Sequence, residues 1–346
     1  MAEPRPDIMI VIPCLNEEKH LPGLLAALTS ENPGVPIIVA DGGSSDASRR
    51  IVRQCRTRHP QVVLLDNPAK IQSAGVNLAI RRHGAGKRWL ARIDAHCDYP
   101  PDFVGQLVKA AAAHGATSVV VPMVSRGRSC FQRAAAAAQN SVLGTGGSPH
   151  RHVAAGRYVD HGHHALMEVE LFRQVGGYDE RLSHNEDAEL DARLRQAGGR
   201  LWLEPSLALT YYPRSTATAL FRQYWNYGKG RATTRTLHGE PLKLRQLLPL
   251  AVPAASVLAL GAVRHPAFAL PLAIWALASI GAGATRTDPE GTACGRLAGI
   301  AAMVMHFAWG WGFLLQTLFG KRLPGKVGRT GPFGGDAAPA AGEEAG

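Results

Sequence analysis

Three stretches between residues 246 and 322, Leu247–Val263, Pro266–Ala284 and Leu297–Phe319, are almost free of charge. Each approaches the roughly 20 apolar residues needed to cross a bilayer. A chain ending this way cannot fold as one water-soluble globule, and at least two of the three stretches are expected to be membrane-embedded. Trp275, Trp309, Trp311 and the flanking Lys321-Arg322 suit a membrane–water boundary, whereas His306 inside the third stretch is unusual there. Three full crossings would place Lys321, Arg322, Lys326 and Arg329 opposite the N-terminal part, against the preference of basic residues for the cytoplasmic face. The short Arg264-His265 link makes a helical hairpin the simplest rearrangement, leaving one stretch re-entrant or interfacial. Residues 323–346, rich in Gly, Ala and Pro, read as a disordered tail.

Residues 1–245 follow another pattern and have the length of one large domain. From residue 8 to about 122, short β-branched runs alternate with amphipathic stretches, which predicts a parallel sheet covered by helices. The expected strands are Ile8–Ile12, Ile37–Ala40, Val62–Leu65, Trp89–Ile93 and Ser118–Val121. Leu21, Leu24, Leu25 and Leu28 recur at helical spacing between the first two. Further helices are expected around Phe131–Gln139 and over Glu186–Gln196, the latter ended by Gly198-Gly199. Between these helices, Gly144 to Arg157 is a long segment of Gly, Ser, Pro and His, the kind of loop that often carries function.

The sequence has 38 Lys and Arg against 27 Asp and Glu, a net charge of +11. Such a balance suits nucleic acid, an anionic membrane or a phosphorylated substrate. The Arg residues are dispersed, however, and the one aromatic-basic stretch adjoins the apolar region, so no nucleic-acid partner is expected. Five scattered cysteines (Cys14, Cys55, Cys97, Cys130, Cys294) show no C-x-x-C spacing, which indicates neither a disulfide framework nor a zinc site and suits a reducing compartment. The run Ile8–Ile12 is too short for a signal peptide, and the N-terminal part is expected to stay in the cytosol.

In open α/β sheets ligands gather at the carboxyl ends of strands. Three such ends carry polar side chains: Pro13 to Glu18, Asp41 to Asp46, and Asp94 to His96. Asp41-Gly42 reads either as a turn, with Asp46 capping the next helix, or as a carboxylate for a base or ribose. Asp94 and His96, two apart on an extended segment, could face one Mg²⁺ or Mn²⁺ bridging a diphosphate, or could be a solvated acid and imidazole. His161-Gly162-His163-His164 fits no zinc spacing and reads as a loop or acceptor-site element. Asn185-Glu186-Asp187 opens a helix; acids favour such positions by about 0.3–1 kcal/mol each through the dipole, yet this does not require adjacent Glu and Asp. Phe221 to Arg231 interleaves aromatics, glycines and cations, and Lys229 and Arg231 suit either a diphosphate or anionic lipid.

Read in order, VIPCLNEE, VADGGSSD, RIDAHCDYP, GGYDERLSHNEDAELDARLRQAGG and FRQYWNYGKGR resemble the inverting family 2 glycosyltransferases, and within them the glucosyltransferase ExoA group of succinoglycan biosynthesis. The resemblance covers residues 8 to about 235. It implies a GT-A fold, a Rossmann-like nucleotide-sugar-binding α/β domain, followed by transmembrane helices. It also implies that Pro13, Asn16, Glu17, Asp41 and Asp94 hold the nucleotide, and that Asp94 and His96 occupy the D-x-D metal position for Mg²⁺ or Mn²⁺. His96 departs from the usual second Asp. Asp187 would be the catalytic base, with Asn185, Glu186 and His163 toward the acceptor and Lys229 and Arg231 on the donor diphosphate. A UDP-sugar is the expected donor, and the apolar segments next to the site point to a polyprenyl-diphosphate-linked glycan as acceptor, at the inner (cytoplasmic) membrane with the catalytic domain facing the cytoplasm. Gln223 and Trp225 are present without the Q-x-x-R-W spacing of processive members, which favours single-sugar addition. The alternatives are a polyprenyl-phosphate sugar synthase and a non-catalytic nucleotide-binding anchor of a polysaccharide complex.

Overall fold

The computed structural model describes residues 7–147, 155–182, 184–239, 241–321, 323 and 333. Half of the long Gly/His segment and most of the tail expected to be disordered therefore lie outside the described residues. Strands β1 (Ile8–Cys14), β2 (Ile37–Asp41), β3 (Val62–Asp66) and β4 (Trp89–Arg92) alternate with helices α1 (Leu21–Glu31), α2 (Ser48–Arg58) and α3 (Gln72–His83). They form the parallel block β3-β2-β1-β4. Strands in such a block are buried on both faces, which is why they read as β-branched runs. Ile8, Ile10 and Ile12 pack with Leu21, Leu25 and Val52 on one face. Met9 and Val11 pack with Val76, Ile80 and Leu190 on the other. Each fully buried side chain of this kind contributes about 1.5–3 kcal/mol.

The sheet is mixed rather than parallel throughout. After α4 (Phe103–His114) come β5 (Ser118–Val121), β6 (Met123–Ser125), α5 (Cys130–Gln139), α6 (Val142–Thr145), β7 (Arg157–Tyr158) and β8 (His163–Glu168). Strand β8 inserts antiparallel between β4 and β5. The His-rich run expected as a loop is therefore the start of a central strand, and it aims its side chains alternately to the two faces of the sheet. Helices α7 (Val169–Gln174) and α8 (Glu186–Gln196) follow, then β9 (Leu201–Leu203), parallel to β5, and β10 (Leu209–Tyr211), which pairs with β6. The turn between α7 and α8 needs glycine: Gly176 and Gly177 have φ of 86° and 68°, and a Cβ on Gly177 would lie 2.5 Å from Asn77 Oδ1. That turn delivers the fully buried Tyr178 to the centre of the sheet.

Helix α9 (Ala217–His238) lies on this domain, tied by Asn185 to Thr234 (2.9 Å) and by Glu189 to His238 (2.9 Å). The Gly-Lys-Gly run is explained by packing. A Cβ on Gly228 would lie 2.2 Å from the Trp309 carbonyl oxygen, and one on Gly230 would lie 2.6 Å from Asn185 Cβ. Helices α10 (Leu244–Ala259), α11 (Leu270–Ala284) and α12 (Ala298–Phe319) complete the described chain apart from residues 320, 321, 323 and 333. Cys130 and Cys294 form a disulfide across 164 residues of sequence, which corrects the expectation of unpaired thiols. Spacing could not reveal it, because the pairing exists only once α5 and the turn before α12 have met in space. Phe333 is buried against Phe172, with their ring centroids 5.9 Å apart.

Candidate active site

The crevice at the strand ends is built from the loops after β1 and β2. Asn16, in the left-handed region at φ 58°, accepts the Ser45 backbone N–H at Oδ1 (2.8 Å), while its own N–H donates to Ser44 Oγ (2.9 Å). Asp41, almost fully buried, accepts the Gly43 N–H (3.1 Å) and a 2.6 Å bond from Arg49, which also reaches Asp66. Burial alone would raise its carboxyl, yet the bonds from Ser44 and Arg49 hold it below the usual range. Asp41 thus shapes the turn, and Asp46 accepts the Ser48 N–H at the start of α2, as the turn reading requires. Pro13 and Glu17 border the same crevice, and Glu17 takes bonds from His20 (2.8 Å) and His96 (3.0 Å).

Strand β4 stops at Arg92, so Asp94 and His96 do not share one extended segment; Ala95 and His96 form a turn instead. Asp94 faces His163 (3.4 Å), Arg92 (3.6 Å) and Gln72 (3.3 Å), while His96 faces Glu17. Among the described residues no group of three His, Cys, Asp or Glu side chains surrounds one point. The described residues therefore form no all-protein cage, and a divalent cation here would depend on one or two protein ligands such as Asp94.

Asn185, at φ 66°, opens α8 and directs Glu186 and Asp187 toward β4 and β8. Asp187 Oδ1 accepts a 2.6 Å bond from the buried Arg92, whose Nη1 also donates to the Tyr178 hydroxyl oxygen (2.9 Å). His164, on the sheet face opposite to that of its neighbour His163, lies 3.4 Å from Asp187, 2.8 Å from the Tyr178 hydroxyl and 2.6 Å from Asp191. Asp191 is four residues after Asp187, on the same helix face, and its other oxygen bonds His161 (2.7 Å). Burial would raise the Asp187 carboxyl, but Arg92 and His164 hold it well below the carboxylate range. Burial would likewise lower the His164 imidazolium, yet Asp191, with Tyr178 and Asp187, keeps it well above its ordinary value. Glu186 moves the other way, raised by burial and by the charge of Asp187. Two adjacent carboxylates are thus driven apart in proton affinity.

A cavity of about 450 Å³ opens beyond Asp187. Its lining includes His163, Asn185, Glu186 and Asp187, the cations Arg195, Arg231, Lys243 and Arg245 together with Asp160, and the apolar Leu248, Met305 and Trp309. Pro13, Asn16, Glu17, Asp41, Asp94 and His96 do not line it, so His163 and Asp187 stand where the strand-end crevice meets the cavity. Arg231 is in this cavity and Lys229 is exposed outside it. Arg92, Tyr178 and Asp191 were given no role from sequence, and His164 was noted only as part of the His-rich run. Arg92 carried a signal all the same: an arginine ending an apolar strand is buried, and a buried cation demands acidic partners.

Residues 9–176 match the glycosyl transferase family 2 profile. The chain is 49% identical over 312 residues to the succinoglycan biosynthesis protein ExoA of Rhizobium meliloti (strain 1021), covering 90% of this chain and 94% of that protein. The chain belongs to glycosyl transferase family 2. Its fold is similar to that of a mannosyltransferase, PcManGT from Pyrobaculum calidifontis, solved with GDP-mannose and Mn²⁺: TM-score 0.62, 17% identity, 93% of this chain and 90% of that one. S. aureus TarS 1–349 with UDP aligns at TM-score 0.46 and 12% identity, over 89% of this chain and 90% of that one. This family 2 glycosyltransferase has the GT-A-like mixed sheet, as its motifs implied, and is a homologue of an exopolysaccharide-biosynthesis protein.

Proposed function

We propose that this glycosyltransferase moves a hexose, glucose by its likeness to the ExoA group, from a UDP-sugar to a lipid-linked glycan with inversion at the anomeric carbon. The observation that carries the reading is the position of Asp187, between the strand-end crevice and a cavity lined by both cationic and apolar side chains. The crevice takes the nucleotide at Pro13, Asn16, Glu17 and Asp41, and Asp94 with His96 holds a divalent cation. Bound there, the cation supplies positive charge to the departing diphosphate. The acceptor enters the cavity, where Arg231, Lys243 and Arg245 receive a prenyl diphosphate and Leu248, Met305 and Trp309 receive the start of its chain.

Asp187 accepts the proton of the acceptor hydroxyl as the oxygen attacks the anomeric carbon on the face opposite the leaving diphosphate. Arg92 and His164 keep it ionised in nearly every molecule at neutral pH; its weak basicity is offset because the hydroxyl acidifies as the new bond forms. Glu186 and His163 orient the acceptor at the junction. The chain is placed at the inner membrane with this domain toward the cytoplasm. The test is a panel of nucleotide sugars with a prenyl-diphosphate monosaccharide and a prenyl monophosphate, after chelation and with Mg²⁺ or Mn²⁺ restored. The expected product is an anomerically inverted disaccharide on the diphosphate lipid, formed only with metal. A retained anomer overturns the mechanism, and transfer to the monophosphate alone overturns the acceptor.

A further inference from the structure

The apolar helices differ in how the rest of the protein covers them. Over their most apolar windows, 17% of Leu244–Val263 and 11% of Pro266–Ala284 is buried, against 56% of Ala293–Phe319. Val257, Leu260 and Val263 on the first, and Leu270, Ile274 and Leu277 on the second, are exposed apolar side chains. At 1.5 Å per residue these 20 and 19 residues measure about 30 and 28 Å, the thickness of a hydrocarbon core. The third is covered by the domain itself. Ala298, Ala301, Ala302, Met305 and Ala308 of α12 pack with Ala134, Ala135 and Ala138 of α5 and with Leu220 and Tyr224 of α9.

The ends of these helices lie on the catalytic domain. Helix α10 begins beside Lys243, whose ammonium bonds Asp160. The two helices meet again at the Arg264-His265 link, where Gly261 abuts Phe268. The turn after α11 returns to the domain, because Cys294 is bonded to Cys130 of α5. Beyond α12, Gly320 and Lys321 line a small cavity with Thr236 and Gly239 at the end of α9. Phe333 is then buried in the domain core against Phe172, with the Arg81 guanidinium 6.0 Å from its ring centre. Met9 and Phe333 share one folded core, on one side of any bilayer. Between these two residues the chain therefore crosses a bilayer an even number of times.

We propose that the lipid bilayer takes up α10 and α11 alone, as a two-helix hairpin with only the Arg264-His265 link reaching the far face, while α12 is a strut between hairpin and domain that does not cross. Lys321 then falls on the catalytic side, which removes the charge conflict that three crossings would create at this residue. Exposed Ile300, Phe307, Leu318 and Phe319 let α12 touch the interfacial layer without spanning it.

The test uses the full-length protein in right-side-out and inverted membrane vesicles, with His265→Cys and Lys321→Cys as separate variants and a membrane-impermeant maleimide read by peptide mass. Native Cys55 and Cys97, both in the catalytic domain and half-buried, mark that domain's side. The expected result is that residue 265 labels in the vesicle orientation opposite to Cys55 and residue 321 in the same orientation. Labelling of residue 321 opposite to Cys55 would establish three crossings and overturn the proposal. Labelling of residue 265 together with Cys55 would show a hairpin lying along the surface, and would overturn it equally.

Discussion

Replacing Arg92 with methionine isolates the charge that organises the site. The side chain is only 5% exposed and faces Asp187 at 2.6 Å and Asp94 at 3.6 Å. With charge centres about 4 Å apart and an effective dielectric of about 20, the Asp187 interaction is worth about 4 kcal/mol. That agrees with the roughly 3–5 kcal/mol lost when one partner of a buried pair is removed. The same interaction holds the Asp187 proton affinity down, so its loss should displace the acid limb toward neutral. Two measurements check this: denaturant unfolding in detergent, and the pH profile of kcat/KM for sugar transfer. Arg92→Met should lose about 3–5 kcal/mol of stability and move the acid limb upward. The double variant Arg92→Met/Asp187→Asn should regain part of the stability, because the orphaned carboxylate is gone, and no activity. A single variant that unfolds within 1 kcal/mol of the parent with an unmoved acid limb would refute the reasoning.

Asp187→Asn should lower transfer at least about 100-fold, within the range for loss of a general base, while calorimetric affinity for the nucleotide sugar stays within twofold. His164 titrates well above its ordinary value once burial is outweighed by Asp191, so its contribution to stability is complete below about pH 6.5 and fades as pH rises through the folded value. His164→Gln should flatten that alkaline loss in melting temperature between neutral and alkaline buffers, and an unchanged slope would count against the assignment. Gly228→Ala forces α9 from the α12 backbone and should cost about 1–3 kcal/mol in unfolding measurements. Gly23→Ala, in α1 with nothing near its added Cβ, should instead be neutral or stabilising.

The parallel half of the sheet was legible because β1, β2, β3 and β4 are buried on both faces and leave continuous apolar runs. Strand β8 was not, since it starts with His163 and His164, whose polarity imitates a loop until Asp94 and Asp191 are seen to receive them. The aromatic-basic run 221–231 was ambiguous for a related reason: its glycines answer to α12 and to Asn185, partners distant in sequence. Acids at the start of α8 were visible, and the resemblance implied a role for them. What sequence did not convey is that Arg92, which opens the RIDAHCDYP motif, reaches Asp187 as well as Asp94 and lowers both carboxyls. The hairpin reading rests on charge placement and the short Arg264-His265 link, to which the structure adds the burial of Phe333 in the domain core.

That phenylalanine also sets an order of events during synthesis. The core that contains Met9, Val76 and Phe172 includes a side chain translated after the three apolar helices. The strands can therefore pair before that residue is made, but the packing of this core closes only after residue 333 has left the ribosome. Until then the space beside Gly177 and Phe172 stays unfilled, and the interior of a sheet begun at residue 8 is incomplete.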